Sequence, residues 1–244
     1  MYKLFWSPGG ANMVAHAALR EIGAEVELIR IDLDKGDHRN LDYLKLNPHA
    51  RVPTLIYDDD QVIYESAAIA MFLAERHPAA DLAPLPGHPD RGPYLQWMVY
   101  LTNTLQEAMM HWWHADNYVA SESEQAALKT GAERRLVKMA DFLDTHLAAK
   151  GPHLCGSRFY ICDYFLAMLV RWTRAMARPF QQWPHMRGLV ERSLLRPAYR
   201  QMLMEEGIQQ SLDILPATDG AIDQLHTKQA NHGAGRPIDE ALGA

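Results

Sequence analysis

An X-Pro bond and the helix start that follows it have residue types suited to binding a small peptide. Val52-Pro53 precedes the apolar run Thr54–Tyr57, and proline suits the first residue of a strand because it cannot donate to a sheet ladder. A cis Val52-Pro53 bond would turn the Val52 backbone groups outward, toward another extended peptide. Glu65-Ser66 then opens a helix, whose free N–H groups and positive dipole end suit a carboxylate. Because Ser66 adds a hydroxyl and Glu65 can bind an ammonium, the pair predicts a site for a free amino-acid head.

The elements that must position these residues alternate between strands and helices over the first 77 residues. Aspartates at 58–60 separate two short apolar runs, which is typical of a hairpin turn. One βαβ unit, an irregular helix and one ββα unit fit a small thioredoxin-like sheet. Strand patterns cover 3–6, 26–32, 54–57 and 61–64, and helical patterns cover 12–23 and the segment ending near His77.

The remainder of the chain carries only helical signals after a segment rich in Pro, Gly and Asp at 79–89. The apolar spacing predicts helices over 90–118, 122–149, 163–176, 184–195 and 196–207. The polar residues 216–244 predict a tail that is mobile or draped over the surface. We therefore expect a domain at 1–78, a linker at 79–89, an all-helical domain at 90–215 and a tail at 216–244.

Composition excludes several function classes. The 244 residues are 48% hydrophobic and carry a net charge of −6 with mixed signs, so no basic face favours nucleic acid. No run of eighteen apolar residues indicates a membrane span, and the opening residues do not resemble a signal peptide, so we expect a cytoplasmic protein. Cys155 and Cys162 are expected as reduced thiols, with a redox pair as the alternative.

The ordered set of motifs resembles a glutathione S-transferase over roughly residues 2–210. The match begins with Lys3-Leu4-Phe5-Trp6-Ser7-Pro8-Gly9 and continues through Gly36-Asp37-His38, Tyr43-Leu44-Lys45-Leu46-Asn47-Pro48, Val52-Pro53 and Glu65-Ser66. The resemblance implies an α/β thioredoxin-like N-terminal domain and an all-α C-terminal domain. It also implies glutathione as co-substrate, no metal, and a homodimer.

The resemblance further implies a contact for each part of glutathione. Val52 would hold the central residue through its backbone, and Glu65 with Ser66 would hold the γ-glutamyl head. In theta-class enzymes a histidine at the spacing of His38 contacts the glycine carboxylate, and an ordinary solvated loop is the alternative for His38 and Arg51. The glutathione-binding residues that we expect are His38, Arg51, Val52, Pro53, Glu65 and Ser66.

Transfer chemistry needs the glutathione thiolate, and its donors should lie at the end of the first strand. Lowering a thiol pKa from about 8.5 by about two units requires roughly 2.7 kcal/mol. Beta-class relatives carry a cysteine at the position of Ala11 and a histidine at that of Gln106, and this chain has neither. We expect the Asn12 amide as the main donor, helped by the backbone N–H of Ala11 or Asn12. Ser7 is the second candidate, and a helix cap is the structural alternative for Asn12.

Two adjacent tryptophans indicate an aromatic pocket for the second substrate. Trp112 and Trp113 lie about 100° apart on a helix, so one of them must face a cleft or a partner. His111 and His114 have metal-ligand spacing but no evident third ligand, so we expect no metal. A flat hydrophobic electrophile would contact Trp6, Trp112, Trp113, Tyr118, Phe165 and Trp172, with core and dimer surface as the alternative.

The leading interpretation is a detoxifying glutathione transferase that attacks a hydrophobic electrophile. A glutathione-dependent lyase, dehalogenase or ether-cleaving enzyme would use the same sulfur nucleophile, and pocket shape alone distinguishes it. A non-catalytic binding module of the same fold is the third interpretation. The absence of the familiar Cys, Tyr and His residues from the turn slightly favours it.

Overall fold

The computed structural model describes residues 1–208, so the tail predicted at 216–244 lies outside the described residues. Four strands form one mixed sheet in the order β2-β1-β3-β4. Strand β1 is parallel to β2 and antiparallel to β3, which pairs antiparallel with β4 through the predicted hairpin. The strands are β1 (Tyr2–Trp6), β2 (Val26–Arg30), β3 (Thr54–Tyr57) and β4 (Gln61–Tyr64).

Three helices accompany the sheet: α1 (Met13–Glu21), α2 (Leu41–Leu46) and α3 (Ser66–Arg76). Helix α1 buries every side chain from residue 13 to 19. It can do so because it packs against α3 and against two helices of the second half, α7 (Ile161–Trp172) and α9 (Pro197–Glu205). A helix that is apolar nearly all round belongs in such an interior position.

The second half is helical, as predicted from the apolar spacing. Its helices are α4 (Arg91–Tyr100), α5 (Glu107–Trp113), α6 (Glu122–Lys150), α7 (Ile161–Trp172), α8 (Pro184–Leu195) and α9 (Pro197–Glu205). Helix α7 is the buried centre, since all residues from Ile161 to Val170 are inaccessible to solvent. No helix within residues 1–208 is both long and apolar enough to cross a membrane. The small mixed sheet of the first half and the helices of the second half confirm the predicted fold class, which is a thioredoxin-like N-terminal domain with an all-α C-terminal domain.

A π-helical segment, Leu101–Gln106, joins α4 to α5 and interrupts the single helix predicted over 90–118. Beside it, the Thr102 hydroxyl donates to the carbonyl oxygens of Met98 and Val99 at 2.8 and 3.2 Å. Such a hydroxyl donates an additional hydrogen bond to the carbonyls of the preceding turn. Bonds of this kind accompany local departures from α-helical geometry, such as a π-helical segment. The apolar period continues through the segment, so the sequence pattern did not reveal it.

Strand register brings the predicted site residues to one end of the sheet. Phe5 of β1 lies opposite Thr54, and Thr54 lies opposite Tyr64 of β4. The turn after β1, the segment before β3 and the start of α3 therefore meet at the same edge. The Ile31 N–H donates to the Trp6 carbonyl at 2.8 Å, so the loop after β2 also starts there.

Candidate functional site

The turn between β1 and α1 presents free backbone groups at a helix start. The Ser7 N–H donates to Asn12 Oδ1 at 3.1 Å, and the Gly10 N–H donates to the Ser7 carbonyl at 3.1 Å. The backbone N–H of Ala11 has no acceptor within residues 1–208, and Ala11 is only half-buried. Because Ala11 just precedes α1, its N–H lies at the positive end of that helix dipole.

Glu206, at the end of α9, binds this turn from the far end of the chain. Its Oε2 accepts the Gly9 N–H at 2.8 Å, and its Oε1 accepts Asn12 Nδ2–H at 2.8 Å and His16 Nδ1–H at 3.0 Å. The carboxylate is 3% exposed, so water does not substitute for these donors. No sequence signal marks Glu206, because a glutamate at a helix end has the pattern of a solvated residue.

His16 extends this contact into a charged cluster between α1 and α9. Its two ring nitrogens lie 3.0 Å from Glu206 and 2.7 Å from Glu205. Each ring nitrogen of His16 therefore faces a carboxylate oxygen at hydrogen-bond distance. Burial acts to raise the pKa of Glu205, but hydrogen bonds from Arg20, Gln201 and His16 hold it below the usual value. The cluster thus fixes α9 against the helix that follows the turn.

The end of α7 contacts the same turn from the opposite side. Trp172 Nε1–H donates to the Gly9 carbonyl at 2.9 Å, and Trp113 Nε1–H donates to the Trp172 carbonyl at 3.2 Å. Gly9 has φ +68°, and a Cβ there would lie 2.6 Å from Arg171 Nη1. Burial lowers the pKa of the Arg171 guanidinium, and the charge of Glu206 opposes that shift. Only glycine fits this position without displacement of its neighbours.

The three predicted thiolate donors differ in their placement. Asn12 is completely buried, and its side chain accepts from Ser7 and donates to Glu206. Its amide therefore stabilises the turn from the protein interior. The Ser7 hydroxyl and the Ala11 N–H have no partner within the described residues, so both are available to a ligand. Which group contacts a thiol stays a prediction.

The edge before β3 and the start of α3 also present unpartnered groups. The Val52-Pro53 bond is cis, and neither backbone polar group of Val52 is bonded within residues 1–208. Val52 Cγ2 would lie 3.5 Å from a Cβ on Gly10, so it borders the turn. Glu65 holds φ +73°, an uncommon backbone conformation for a non-glycine residue, and is exposed. The Ser66 hydroxyl has no partner among the described residues.

His38 and Arg51 flank this edge. His38 lies in the short 3₁₀ turn Asp37–Arg39, and its Nδ1 is buried without a hydrogen-bond partner within residues 1–208. Burial, together with the charge of Arg39, lowers the pKa of His38. The Arg51 side chain is exposed, while its carbonyl accepts from Tyr43 Oη–H at 2.6 Å and Asn47 Nδ2–H at 2.8 Å. These bonds hold the backbone that leads into Val52.

The predicted pocket aromatics separate into two groups. Trp113 and Trp172 are linked to each other and to the turn, and the Trp112 ring centroid lies 4.9 Å from that of Trp113. Trp112 Nε1–H donates to Glu133 of α6 at 2.8 Å. The other three have different surroundings: Phe165 is fully buried in α7, Trp6 is nearly so, and the Tyr118 ring packs at a tilt on the His111 ring, with centroids 4.4 Å apart.

Metal-ligating groups are scattered within residues 1–208. No cluster of three or more His, Cys, Asp or Glu side chains there is arranged to hold a metal ion. His111 instead lies 3.3 Å from Glu107, four residues earlier on α5. Cys155 and Cys162 are free thiols, the first half-buried and the second buried.

Comparisons with known proteins identify the family. Residues 1–75 match the model of the glutathione S-transferase N-terminal domain. Glutathione S-transferase F9 of Arabidopsis thaliana is 30% identical over 155 residues, which cover 61% of this chain and 70% of that protein. The chain belongs to the glutathione S-transferase family.

Longer matches agree with this assignment. Glutathione S-transferase GstA of Escherichia coli O157:H7 is 28% identical over 208 residues, which cover 84% of this transferase-like chain and 99% of the relative. A sphingomonad glutathione S-transferase, solved in complex with glutathione, has a TM-score of 0.73 and 29% identity over 84% of this chain and 99% of its own. A glutathione transferase from Methylococcus capsulatus has a TM-score of 0.76 and 29% identity, over 85% of this chain and 100% of its own. The predicted family is confirmed, and the subclass stays unassigned.

Proposed function

We propose that this family member binds glutathione at the sheet edge, ionises its thiol and transfers the sulfur to a hydrophobic electrophile. The observation that carries the proposal is the meeting of unpartnered groups at one edge: the backbone of Val52, the Ser66 hydroxyl and the Ala11 N–H. These groups match an extended peptide with an amino-acid head and a thiol. The glutathione held by the sphingomonad relative supports the same ligand.

Each part of glutathione has a complementary group in this arrangement. The central residue pairs with the backbone of Val52, next to Pro53. Ser66 at the start of α3 binds the γ-glutamyl carboxylate, because the first helical N–H groups are free and carry the positive dipole end. Glu65, whose carboxylate has no partner within residues 1–208, binds the ammonium. His38 and Arg51 bind the glycine carboxylate.

The thiolate is held by the Ala11 N–H and the Ser7 hydroxyl, while Asn12 and Glu206 position the turn. A hydrogen bond to a charged group contributes about 1.5–3 kcal/mol, and a helix N-terminus adds about 0.3–1 kcal/mol. The sum covers the roughly 2.7 kcal/mol that a two-unit pKa shift requires. Thiolate stabilisation of this size does not require a direct hydrogen bond from the Asn12 amide to the sulfur.

The electrophile binds beside the turn, against Trp113 and Trp172. Both rings donate their N–H groups to backbone carbonyls, and the Arg174 guanidinium lies 5.6 Å from the centroid of the Trp113 ring. The face of Trp172 is therefore the main apolar surface proposed for an aromatic ligand. Proximity to the thiolate then supplies much of the rate. The natural electrophile, and with it the choice between transfer, dehalogenation and ether cleavage, depends on the shape of this pocket.

The protein assembles as a homodimer in this proposal. Apolar side chains stand exposed on two neighbouring helices: Val99 of α4 is 60% exposed and Phe142 of α6 is 51% exposed. The Tyr100 and Phe142 ring centroids lie 5.7 Å apart, so apolar surface of α4 adjoins that of α6. A patch of this kind marks an interface when it is contiguous.

Calorimetric titration of glutathione, followed by turnover of 1-chloro-2,4-dinitrobenzene and a panel of epoxides, halides and aryl ethers, tests the proposal. Ser66→Ala and Glu65→Gln should each weaken glutathione binding about tenfold, which is about 1.4 kcal/mol. Glu122→Gln is the matched control, since Glu122 is exposed at the start of α6, and should change nothing. Glutathione binding without any turnover would favour the binding module, and absence of binding would refute the proposal.

A further inference from the structure

A buried carboxylate holds the loop that precedes α7 against the first turn of that helix. One oxygen of Asp163 accepts the Leu154 N–H at 2.9 Å, and the other accepts the Tyr160 N–H at 2.9 Å. The Asp163 side chain is inaccessible to solvent, so water does not replace these donors. The bonds keep the loop residue Cys155 close to Cys162, which immediately precedes Asp163 in the helix.

Cys155 lies inside a tight turn whose backbone is fixed by hydrogen bonds. The His153 N–H donates to the Gly156 carbonyl at 2.9 Å, and the Gly156 N–H donates to the His153 carbonyl at 3.1 Å. Gly156 has φ +102°, a conformation that residues with a Cβ rarely adopt. Because the turn is already ordered, a bond between the two thiols would immobilise few further groups.

The two thiols are in contact with each other but differ in exposure. Cys155 is half-buried, whereas Cys162 is completely inaccessible to solvent. Burial, and after it a hydrogen bond with the Cys155 thiol, raises the pKa of the Cys162 thiol well above its usual value. A reagent from solvent therefore reaches Cys155 first, and the Cys162 sulfur is adjacent to any group that forms on Cys155.

We propose that Cys155 and Cys162 form a modification site, which a small-molecule disulfide oxidises to an internal disulfide bond. The Cys155 thiolate attacks one sulfur of the small disulfide, breaks its S–S bond and releases one thiolate. Cys162 Sγ then attacks Cys155 Sγ in the mixed disulfide, and the second small thiol leaves with the Cys162 proton. Two protein thiols are thus oxidised, and one small disulfide is reduced to two thiols.

This site is separate from the edge proposed to bind glutathione. Cys162 lies in the first turn of α7, whereas Trp172, which contacts the Gly9 carbonyl, is the last residue of the same helix. Oxidation of the pair therefore requires neither bound glutathione nor the transfer reaction.

Intact-protein mass spectrometry after incubation with bis(2-hydroxyethyl) disulfide tests the assignment. Wild type should lose two hydrogen atoms, carry no attached hydroxyethyl thiol, and give one peptide that links Cys155 to Cys162. Dithiothreitol should reverse the change. The reagent contains no peptide, so the result is independent of glutathione binding. Wild type that stays reduced, or that stops at a mixed disulfide, would overturn the proposal.

Single-cysteine variants test the order of the two steps. Cys162→Ala should accumulate the mixed disulfide on Cys155. Cys155→Ala should react at least about tenfold more slowly, because a fully buried thiol reacts only after local opening. Cys162→Ser is the second variant for the buried position, and circular dichroism of each protein verifies the fold. Equal reaction rates of folded Cys155→Ala and either folded Cys162 variant would contradict the assigned roles.

Unfolded wild type is the control for proximity in sequence alone. In concentrated urea, the ratio of internal to mixed disulfide should fall at least about tenfold, because the contacts of Asp163 no longer hold the thiols together. The same ratio in folded and unfolded protein would show that the fold contributes nothing and would overturn the proposal.

Discussion

Removal of the Glu206 carboxylate should destabilise the protein far more than an ordinary helix-end substitution. In Glu206→Ala, three donors lose their acceptor: the Gly9 N–H, the Asn12 amide and the His16 ring. Each unsatisfied buried donor costs about 1–3 kcal/mol, and removing one partner of a buried ion pair costs about 3–5 kcal/mol. We therefore expect a loss of about 3–5 kcal/mol, a large part of the 5–15 kcal/mol typical of a folded domain.

Glu206→Gln keeps the size and shape of the side chain but leaves it with one acceptor oxygen in place of two. The glutamine carbonyl can replace one carboxylate oxygen, but its NH₂ group must face either Gly9 or the Asn12 and His16 donors. The expected loss is about 2 kcal/mol, and the turn should present the Ala11 N–H less well. Because the charge of Arg171 already opposes that of Glu206, we expect the lost geometry to dominate and the thiol pKa of bound glutathione to rise.

Urea unfolding and glutathione thiol titration measure the two effects. Met204→Ala is the control, since Met204 lies on the same helix and is 60% exposed, so it should stay within about 0.5 kcal/mol of wild type. A Glu206→Ala protein that loses less than about 1 kcal/mol and keeps the wild-type thiol pKa would refute the reasoning.

Four further changes have defined outcomes. Burial and Arg39 lower the pKa of His38, so its NMR titration midpoint should lie below about 6.5 in the free protein and rise when a glutathione carboxylate binds. Gly9→Ala should cost about 1–3 kcal/mol in urea unfolding and raise KM for glutathione, because φ is +68° and the new Cβ would lie 2.6 Å from Arg171 Nη1. Val99→Glu should halve the mass measured by light scattering, and the resulting monomer should still unfold in one cooperative transition. Asp163→Ala should cost about 2–3 kcal/mol, because the buried carboxylate accepts the backbone N–H of Leu154 and of residue 160 at 2.9 Å each, and an unfolding midpoint equal to wild type would contradict this.

The sequence predicts the elements of this fold well because their signals are local. Apolar alternation locates β1 to β4, and the three- and four-residue spacing of apolar side chains locates α6 and the buried α7. The edge proposed to bind glutathione is predictable for the same reason, since Val52-Pro53 and Glu65-Ser66 each adjoin a recognisable element. Strand register then brings them together without further information.

The turn is less predictable because its contacts are distant in sequence. Asn12 is chemically suited to a thiolate, and only the position of Glu206, 194 residues later, shows that its amide is engaged inside the protein. The adjacent Trp112 and Trp113 illustrate the same limit. Their helical spacing predicts that they diverge, but the bonds to Glu133 and to the Trp172 carbonyl decide where each of them lies.

The most direct test of the account is the ultraviolet thiolate absorbance of bound glutathione as a function of pH. We predict a midpoint near 6–7, about two units below that of a free thiol, and a midpoint about one unit higher in Ser7→Ala. A midpoint near 8.5 in the wild-type complex would contradict it, because the start of α1 would then provide no stabilisation of the thiolate.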